Sequence, residues 1–195
     1  MALSLVTAPA TEPLTLDEAL SHLRVDAGDE NDLVGTLIVA AREFCENFTH
    51  RAFITQTWDL KASCFPWGGD PIWVPKPPLI SVTSITSVDT AGATQTWSSA
   101  LYTVDALAGP KARMGAIVPN YGEIYPPTRA VVNAVTVRFV AGYGAASAVP
   151  ASVKAAMKLL IGNWWMNREA AAIVRASADV LPLGVDALLW PFKAF

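Results

Sequence analysis

The side chains that could do chemistry are few in this 195-residue chain. Its two histidines are His22 and His50, and its two cysteines are Cys45 and Cys64. A hydrolase needs a histidine or another base within reach of a nucleophile, and no such motif surrounds either histidine. His22 falls on a predicted helix, and His50 at a helix end, where a cation suits the dipole. We therefore predict no catalytic residues, and a small hydrolase that uses His22 or His50 is the enzymatic alternative.

Metal and cofactor sites are not predicted either. Cys45 and His50 lie five positions apart, which matches no common zinc spacing, and Cys64 has no second cysteine beside it. The acidic turn, residues 26–32, superficially resembles a calcium loop, but its glycine is misplaced for that pattern. No glycine-rich phosphate loop is present. Cys45 lies on an apolar stripe, so we interpret it as a core residue.

The composition excludes several classes of protein. Hydrophobic residues make up 52% and charged residues only 16%, whereas an average soluble domain carries about 25% charged residues. No apolar run approaches the ~18 residues of a membrane span, and residues 1–10 lack the basic start of a secretory signal. A net charge of −3 gives no basic footprint for nucleic acid. Two cysteines indicate free thiols in a reducing compartment. The apolar surplus is therefore interpreted as surface for other subunits.

Charge is divided unevenly along the chain. Residues 1–50 hold nine acids and two bases, net −7, and residues 51–195 hold eight acids and twelve bases, net +4. This indicates either a solvated acidic helix pair or complementary faces on neighbouring copies.

The adjacent tryptophans Trp164 and Trp165 point about 100° apart on a helix. Either one fills the core and the other reaches the surface, or both anchor a protein interface. The candidate subunit-interface residues are Trp164, Trp165, Asp29, Glu30 and Asp32.

The last segment of the chain is strongly apolar. Free termini usually fray, so this segment should dock on its own domain or on a partner. The candidate docking residues are Leu188, Leu189, Trp190, Pro191, Phe192 and Phe195. If they serve a partner, deletion of residues 188–195 should abolish assembly onto that partner while leaving the fold largely intact.

Helical patterns lie at both ends of the chain and strand patterns between them. Thr15 and Glu18 form a capping box for a first helix, Asp29 is predicted to cap a second over 30–48, and Pro150 suits the first position of a third. A short amphipathic piece follows at 185–190. The predicted strands are 53–61, 72–74, 79–88, 94–97, 102–105, 116–118 and 131–140, of which the last is placed centrally.

These elements predict an α+β fold, a small helical bundle with an inserted antiparallel β subdomain. The predicted parts are residues 1–50 for the N-terminal helices, 51–149 for the β-rich insert, and 150–195 for the C-terminal helices and docking tail. Residues 168–179 could be weak helix or a loop.

Five stretches, taken in order, resemble the head–tail connector family of long-tailed bacteriophages and gene transfer agents, also called adaptor or head-completion proteins. They are LTLDEALSHLRVD (14–26), RAFITQTWDL (51–60), PKPPLISVTSITSVDTAGATQTW (75–97), FVAGYGAASAVPASVKAAMKLLIGNWWMNREA (139–170) and LPLGVDALLWPFK (181–193). The family offers no catalytic motif to carry over.

The resemblance implies a structural protein of the virion or virus-like particle, assembled in the bacterial cytoplasm. It would form a homo-oligomeric ring, typically a dodecamer, below the portal protein, and would offer a platform to a stopper or tail connector. DNA would pass through the channel without specific binding, and neither a cofactor nor a membrane is implied. The alternative within this class is another morphogenesis factor, such as a stopper or a tail terminator.

Overall fold

A computed structural model describes residues 1–167 and 183–194, so the segment 168–179 lies outside the described residues. Four helices are present in the described part: α1 (Leu16–Leu23), α2 (Asn31–Thr49), α3 (Ala151–Met166) and α4 (Leu183–Leu189). The described strands are β1 (Ala2–Thr7), β2 (Gln56–Ala62), β3 (Ile72–Val74), β4 (Leu79–Val88), β5 (Thr94–Trp97), β6 (Tyr102–Asp105), β7 (Gly115–Pro119) and β8 (Val135–Ala141). The predicted α+β class is confirmed.

The four helices pack into one bundle around a shared apolar core. α1 begins at the predicted capping box, in which the Glu18 amide donates to the Thr15 hydroxyl and the Thr15 amide donates to the Glu18 carboxylate. α1 and α2 end at residues in the left-handed conformation, Arg24 and His50. All four helices contribute buried residues to this core, among them Ala19, Val34, Ile38, Ala41, Cys45, Val153, Met157, Leu160, Ile161, Val185 and Leu189.

Two antiparallel sheets, built from the strands of the β insert and from β1, surround a second core. The larger sheet has the strand order β1-β2-β8-β4-β5, so β8 is central, as its apolar sequence predicted. The smaller sheet has the order β3-β7-β6. Alternate residues of β8 face the second core, where Val137 lies opposite Leu60 on one side and Ile85 on the other. The period-2 pattern of burial on β8 is the one expected of a strand with one covered face.

Strand β1 is an element that the sequence pattern did not reveal. It pairs with β2, with Ala2 opposite Lys61 and Leu5 opposite Trp58. Its side chains are mostly exposed, and Leu5 and Val6 are 47% and 44% exposed. Its pairing with β2 therefore depends on backbone hydrogen bonds more than on burial of side chains. For this reason the sequence of β1 lacks the hydrophobic alternation by which a half-buried strand is recognised. The division of the chain into three parts, with boundaries at residues 50 and 149, stays a prediction.

The beginnings of two helices differ from the sequence-based expectation. α2 begins at Asn31 after the N-cap residue Glu30, so the prediction that Asp29 caps this helix was wrong. The reason is that Asn31 accepts the Gly28 amide at 3.1 Å, which forms a turn before the helix. Pro150 is the N-cap of α3, one position before the predicted one. None of the described helices is long and apolar enough to cross a membrane.

Candidate interaction surfaces

The C-terminal segment packs on its own bundle. Leu189 is completely buried and Phe192 is 7% exposed, and both belong to the helical core. The Arg51 Nε atom donates to the Phe192 carbonyl, and the Ala194 amide donates to the Thr49 carbonyl at 2.9 Å. The segment is therefore fixed by side-chain burial and by hydrogen bonds to the end of α2. The expectation that deleting residues 188–195 leaves the fold intact conflicts with these contacts.

Other docking candidates in the same segment face outward. Trp190 is 58% exposed, Pro191 is exposed and Leu188 is half-buried. The Lys193 ammonium lies 5.3 Å from the ring centre of Trp190 and 5.3 Å from that of Phe48, which is within cation–π range. Phe195 lies outside the described residues. The segment thus has a buried side, which holds it in place, and an exposed side that a partner can contact.

Arg51 is a buried arginine at the junction of the bundle, the C-terminal segment and the β insert. Its residue exposure is 3%, and its Nη1 atom makes no hydrogen bond within the described residues. Burial lowers the pKa of Arg51, and the nearby Tyr143 opposes that shift. The Arg51 Nε bond to the Phe192 carbonyl helps to hold the C-terminal segment, because breaking it would leave a second buried donor of Arg51 unmet.

Trp164 and Trp165 both pack partly against the helical core. The Trp164 ring meets the Phe44 ring edge-on, with centres 6.1 Å apart and planes at 82°. Neither indole is fully buried, so both retain an exposed fraction. The expectation that one fills the core and one reaches the surface is replaced by a shared, intermediate burial. Met166, the next residue, is 80% exposed.

The acidic turn, residues 26–32, lies at the start of α2. Asp29 and Asp32 are exposed, and Glu30 is half-buried. Within residues 1–167 and 183–194, no three His, Cys, Asp or Glu side chains are grouped so that they could hold a metal ion. The turn therefore forms a charged surface beside the N-terminus of α2.

A buried polar cluster, which was not predicted from the sequence, joins α2 to the β insert. The Glu46 carboxylate accepts the Phe53 amide at 2.7 Å, the Gln56 side-chain amide at 2.7 Å and the Arg42 guanidinium at 3.0 Å. Arg42 also donates to the Glu12 carboxylate at 2.8 Å. Burial raises the pKa of Glu46, and the Phe53 amide and Arg42 oppose the shift. The available signal was the Arg42–Glu46 pair, four residues apart on an otherwise apolar stripe.

The two thiols have opposite surroundings. Cys45 is buried in the helical core, as predicted, and Cys64 is exposed. Burial, helped by the nearby Glu46 charge, raises the pKa of the Cys45 thiol to about 12. Since the thiolate is the reactive form, Cys45 is a packing residue.

The fold and these surfaces define a structural class. The chain is a two-core α+β protein whose notable surfaces, an apolar C-terminal segment, half-exposed tryptophans and a charged turn, are suited to contacts with other proteins.

Residues 13–102 match the model of the phage gp6-like head-tail connector protein family. This match covers α1, α2 and the strands β2 to β5, and it confirms the resemblance to head–tail connectors that the sequence shows. The role that this match supports is that of a structural head–tail connector.

Solved structures resemble the whole chain. A chain from the virion of the native gene transfer agent (GTA) particle has 25% identity and a TM-score of 0.80. Chains from the neck of the native GTA particle, computed with C12 symmetry, and from the neck of the empty particle, computed with C6 symmetry, have 26% and 24% identity and TM-scores of 0.77 and 0.79. Each likeness covers 100% of this chain and 96% of the other chain. No curated protein sequence matches the chain.

Proposed function

We propose that the chain assembles into a ring at the head–tail junction of a phage or gene transfer agent particle. There it would extend the DNA channel from the portal and join the capsid to the tail. The observation that carries the proposal is the likeness over the full chain to proteins of particle necks, one of them computed with C12 symmetry. The proposal includes a dodecamer that binds the portal protein on one side and a stopper or tail connector on the other, and the C12 symmetry of that neck supports the number of copies.

Two contacts to partners are part of the proposal. The exposed side of the C-terminal segment, Leu188, Trp190 and Pro191, contacts the portal or an adjacent copy, and its buried side, Leu189 and Phe192, sets its position. The half-exposed indoles of Trp164 and Trp165 and the acidic residues Asp29, Glu30 and Asp32 add to contacts between neighbouring copies.

The proposed role is non-enzymatic, and the DNA passes without specific binding. Burial raises the pKa of Cys45 and keeps that thiol protonated, so Cys45 does not serve as a nucleophile. The net charge of −3 favours a conduit that does not hold phosphate, since DNA affinity depends on basic contacts.

Attachment to particles tests the proposed function. Portal-bearing heads made without this chain are mixed with purified protein, and bound chain is counted after sedimentation. We expect saturable binding of twelve copies per head, and unchanged binding when His22 and His50 are both replaced by Ala. Trp190→Ala should weaken binding, and Val132→Ala, which removes an exposed valine of the β insert, is the matched control. Heads that bind no chain would refute the proposed function.

A further inference from the structure

The end of the β insert that lies far from the helices carries unusually exposed apolar side chains. Trp67 is 89% exposed, Ile124 is 79% exposed and Tyr121 is fully exposed. Trp67 and Ile124 belong to two loops that face each other across a hollow of about 710 Å³. We name these two loops, residues 64–69 and 121–127, the knob. Single exposed apolar residues are ordinary, but a group of this kind marks an interaction surface.

The knob is held in a fixed shape. The Tyr125 ring stacks on the Phe65 ring with centres 4.9 Å apart, and the Tyr125 hydroxyl donates to the Asp70 carbonyl at 2.8 Å. These contacts hold the two loops of the knob together. Trp67 and Ile124 are therefore presented on a preorganised base, which reduces the entropy lost on binding.

A groove of about 830 Å³ lies where the β insert meets the helices. Its walls come from residues 106–110 on one side and 142–151 on the other. The Tyr143 hydroxyl donates to the Pro110 carbonyl at 2.7 Å and links the two walls. Among the residues that the structure describes, the lining is almost entirely apolar and includes no charged side chain: Pro78, Leu79, Ile80, Ala106, Ala108, Gly109, Pro110, Gly142, Tyr143, Ser147, Ala148, Val149, Pro150 and Ala151.

The knob and the groove lie at opposite ends of the larger sheet. The knob loops adjoin Ala62 and Val135, which pair with each other, and the groove adjoins Leu79 and Ala141, which also pair. The length of β8 separates these two pairs by roughly 20 Å at the usual rise per residue. One copy therefore cannot place its own knob in its own groove, but two copies can be joined head to tail.

Charge at the two surfaces is complementary. Glu123 lies in the knob beside Ile124 and is exposed. Lys111 is exposed directly after the groove residue Pro110, and the N-terminus of α3 opens at Ala151, where the first amides have no partner within the helix. An acidic side chain arriving with the knob would meet positive charge from both sources.

We infer that the knob of one copy inserts into the groove of the next copy and that this contact builds the ring. The inference rests on the proposed function and assigns the two faces that the ring requires. A closed ring needs a heterologous contact, in which two different patches of each copy meet. This chain carries both halves, a pair of exposed apolar loops with the acidic Glu123 and an apolar groove with the basic Lys111 beside it, so the occupant is a second copy.

Cross-linking between copies tests this geometry. In a Cys64→Ser background, Ile124→Cys marks the knob and Ser147→Cys marks the groove. The two single variants are mixed at high concentration and treated with a short thiol cross-linker, and we expect a covalent dimer. The matched control mixes Ile124→Cys with Ser99→Cys, which is exposed but lies outside the groove, and should give at least tenfold less dimer. Equal yields would overturn the inference.

Charge exchange provides a second test on the full chain. Glu123→Lys alone and Lys111→Glu alone should each weaken self-association at least tenfold by sedimentation velocity, and the double variant should recover it. Self-association with no response to either change would overturn the inference, and so would a chain that neither self-associates nor cross-links. Twelve copies bound per portal-bearing head would still support the proposed function in both cases, so the two failures are distinguishable.

Discussion

Replacement of Leu189 by alanine measures how strongly the C-terminal segment is held by its own domain. Leu189 is completely buried in the helical core and lies on α4, which packs against α3 and α2. Leucine-to-alanine changes at such sites cost roughly 2–5 kcal/mol, depending on how far the site relaxes. Because α4 is short, partial relaxation is expected, and we place the loss of unfolding free energy at about 3 kcal/mol.

That loss is large against the ~5–15 kcal/mol that stabilises a typical domain. With a urea slope of ~2 kcal/mol per molar, it moves the unfolding midpoint down by about 1.5 M. Urea titration followed by tryptophan fluorescence measures the shift. The control is Trp190→Ala, which removes an exposed ring and a cation–π contact worth ~0.5 kcal/mol and so should move the midpoint far less.

Hydrogen exchange gives the local readout of the same change. The Ala194 amide donates to the Thr49 carbonyl, so it should exchange faster in Leu189→Ala than in Trp190→Ala. The packing argument is refuted if Leu189→Ala keeps the midpoint and the Ala194 protection of the unmodified chain. It is also refuted if Trp190→Ala is the more damaging change.

Three further outcomes are expected. Asp59→Asn should cost about 1 kcal/mol at pH 7, because Arg138 binds the carboxylate through both oxygens at 2.8 and 2.9 Å and lowers the pKa of Asp59. Because the pKa of Asp59 in the folded protein lies below its ordinary value of 3.8, the ion pair stabilises the fold fully only above that pH. The loss of unfolding free energy in Asp59→Asn, measured by urea titration, should therefore shrink as the pH falls below 3.8 and through the lowered pKa. A thiol reagent should modify Cys64 in the folded protein and Cys45 only after unfolding, and rapid modification of both would contradict the burial of Cys45. Gly142→Ala should reduce the thermal midpoint by several degrees, because Gly142 has φ +129° and an added Cβ would meet the Ile54 carbonyl, whereas Gly28→Ala, with open space around it, should be nearly neutral.

Much of the secondary structure could be predicted from the sequence. β3, β4, β5 and β6 occupy the predicted residues, and α1 begins at the predicted capping box. Turn residues, alternation and capping are properties of neighbouring positions along the chain, so a single sequence carries them. The central place of β8 also followed, because a strand covered by neighbours on both edges needs an apolar composition.

The candidate surfaces were predicted only in part. The apolar character of the C-terminal segment was evident, but which side chains turn inward, Leu189 and Phe192, depends on the docking of α4. The Asp29 cap was mistaken because Asn31 competes for the same turn. The sequence singled out neither the knob nor the groove, since each is made by loops distant along the chain.

The sequence by itself determined the class of fold, most element positions, the lack of a recognisable catalytic motif and the kinship with head–tail connectors. Tertiary structure decided the pairing of β1 with β2, the Glu46 cluster that joins bundle to insert, and the burial of one side of the C-terminal segment. The physical reason is that hydrogen bonding and burial between distant residues depend on the packing of whole elements, whereas local patterns report only the element that each residue joins.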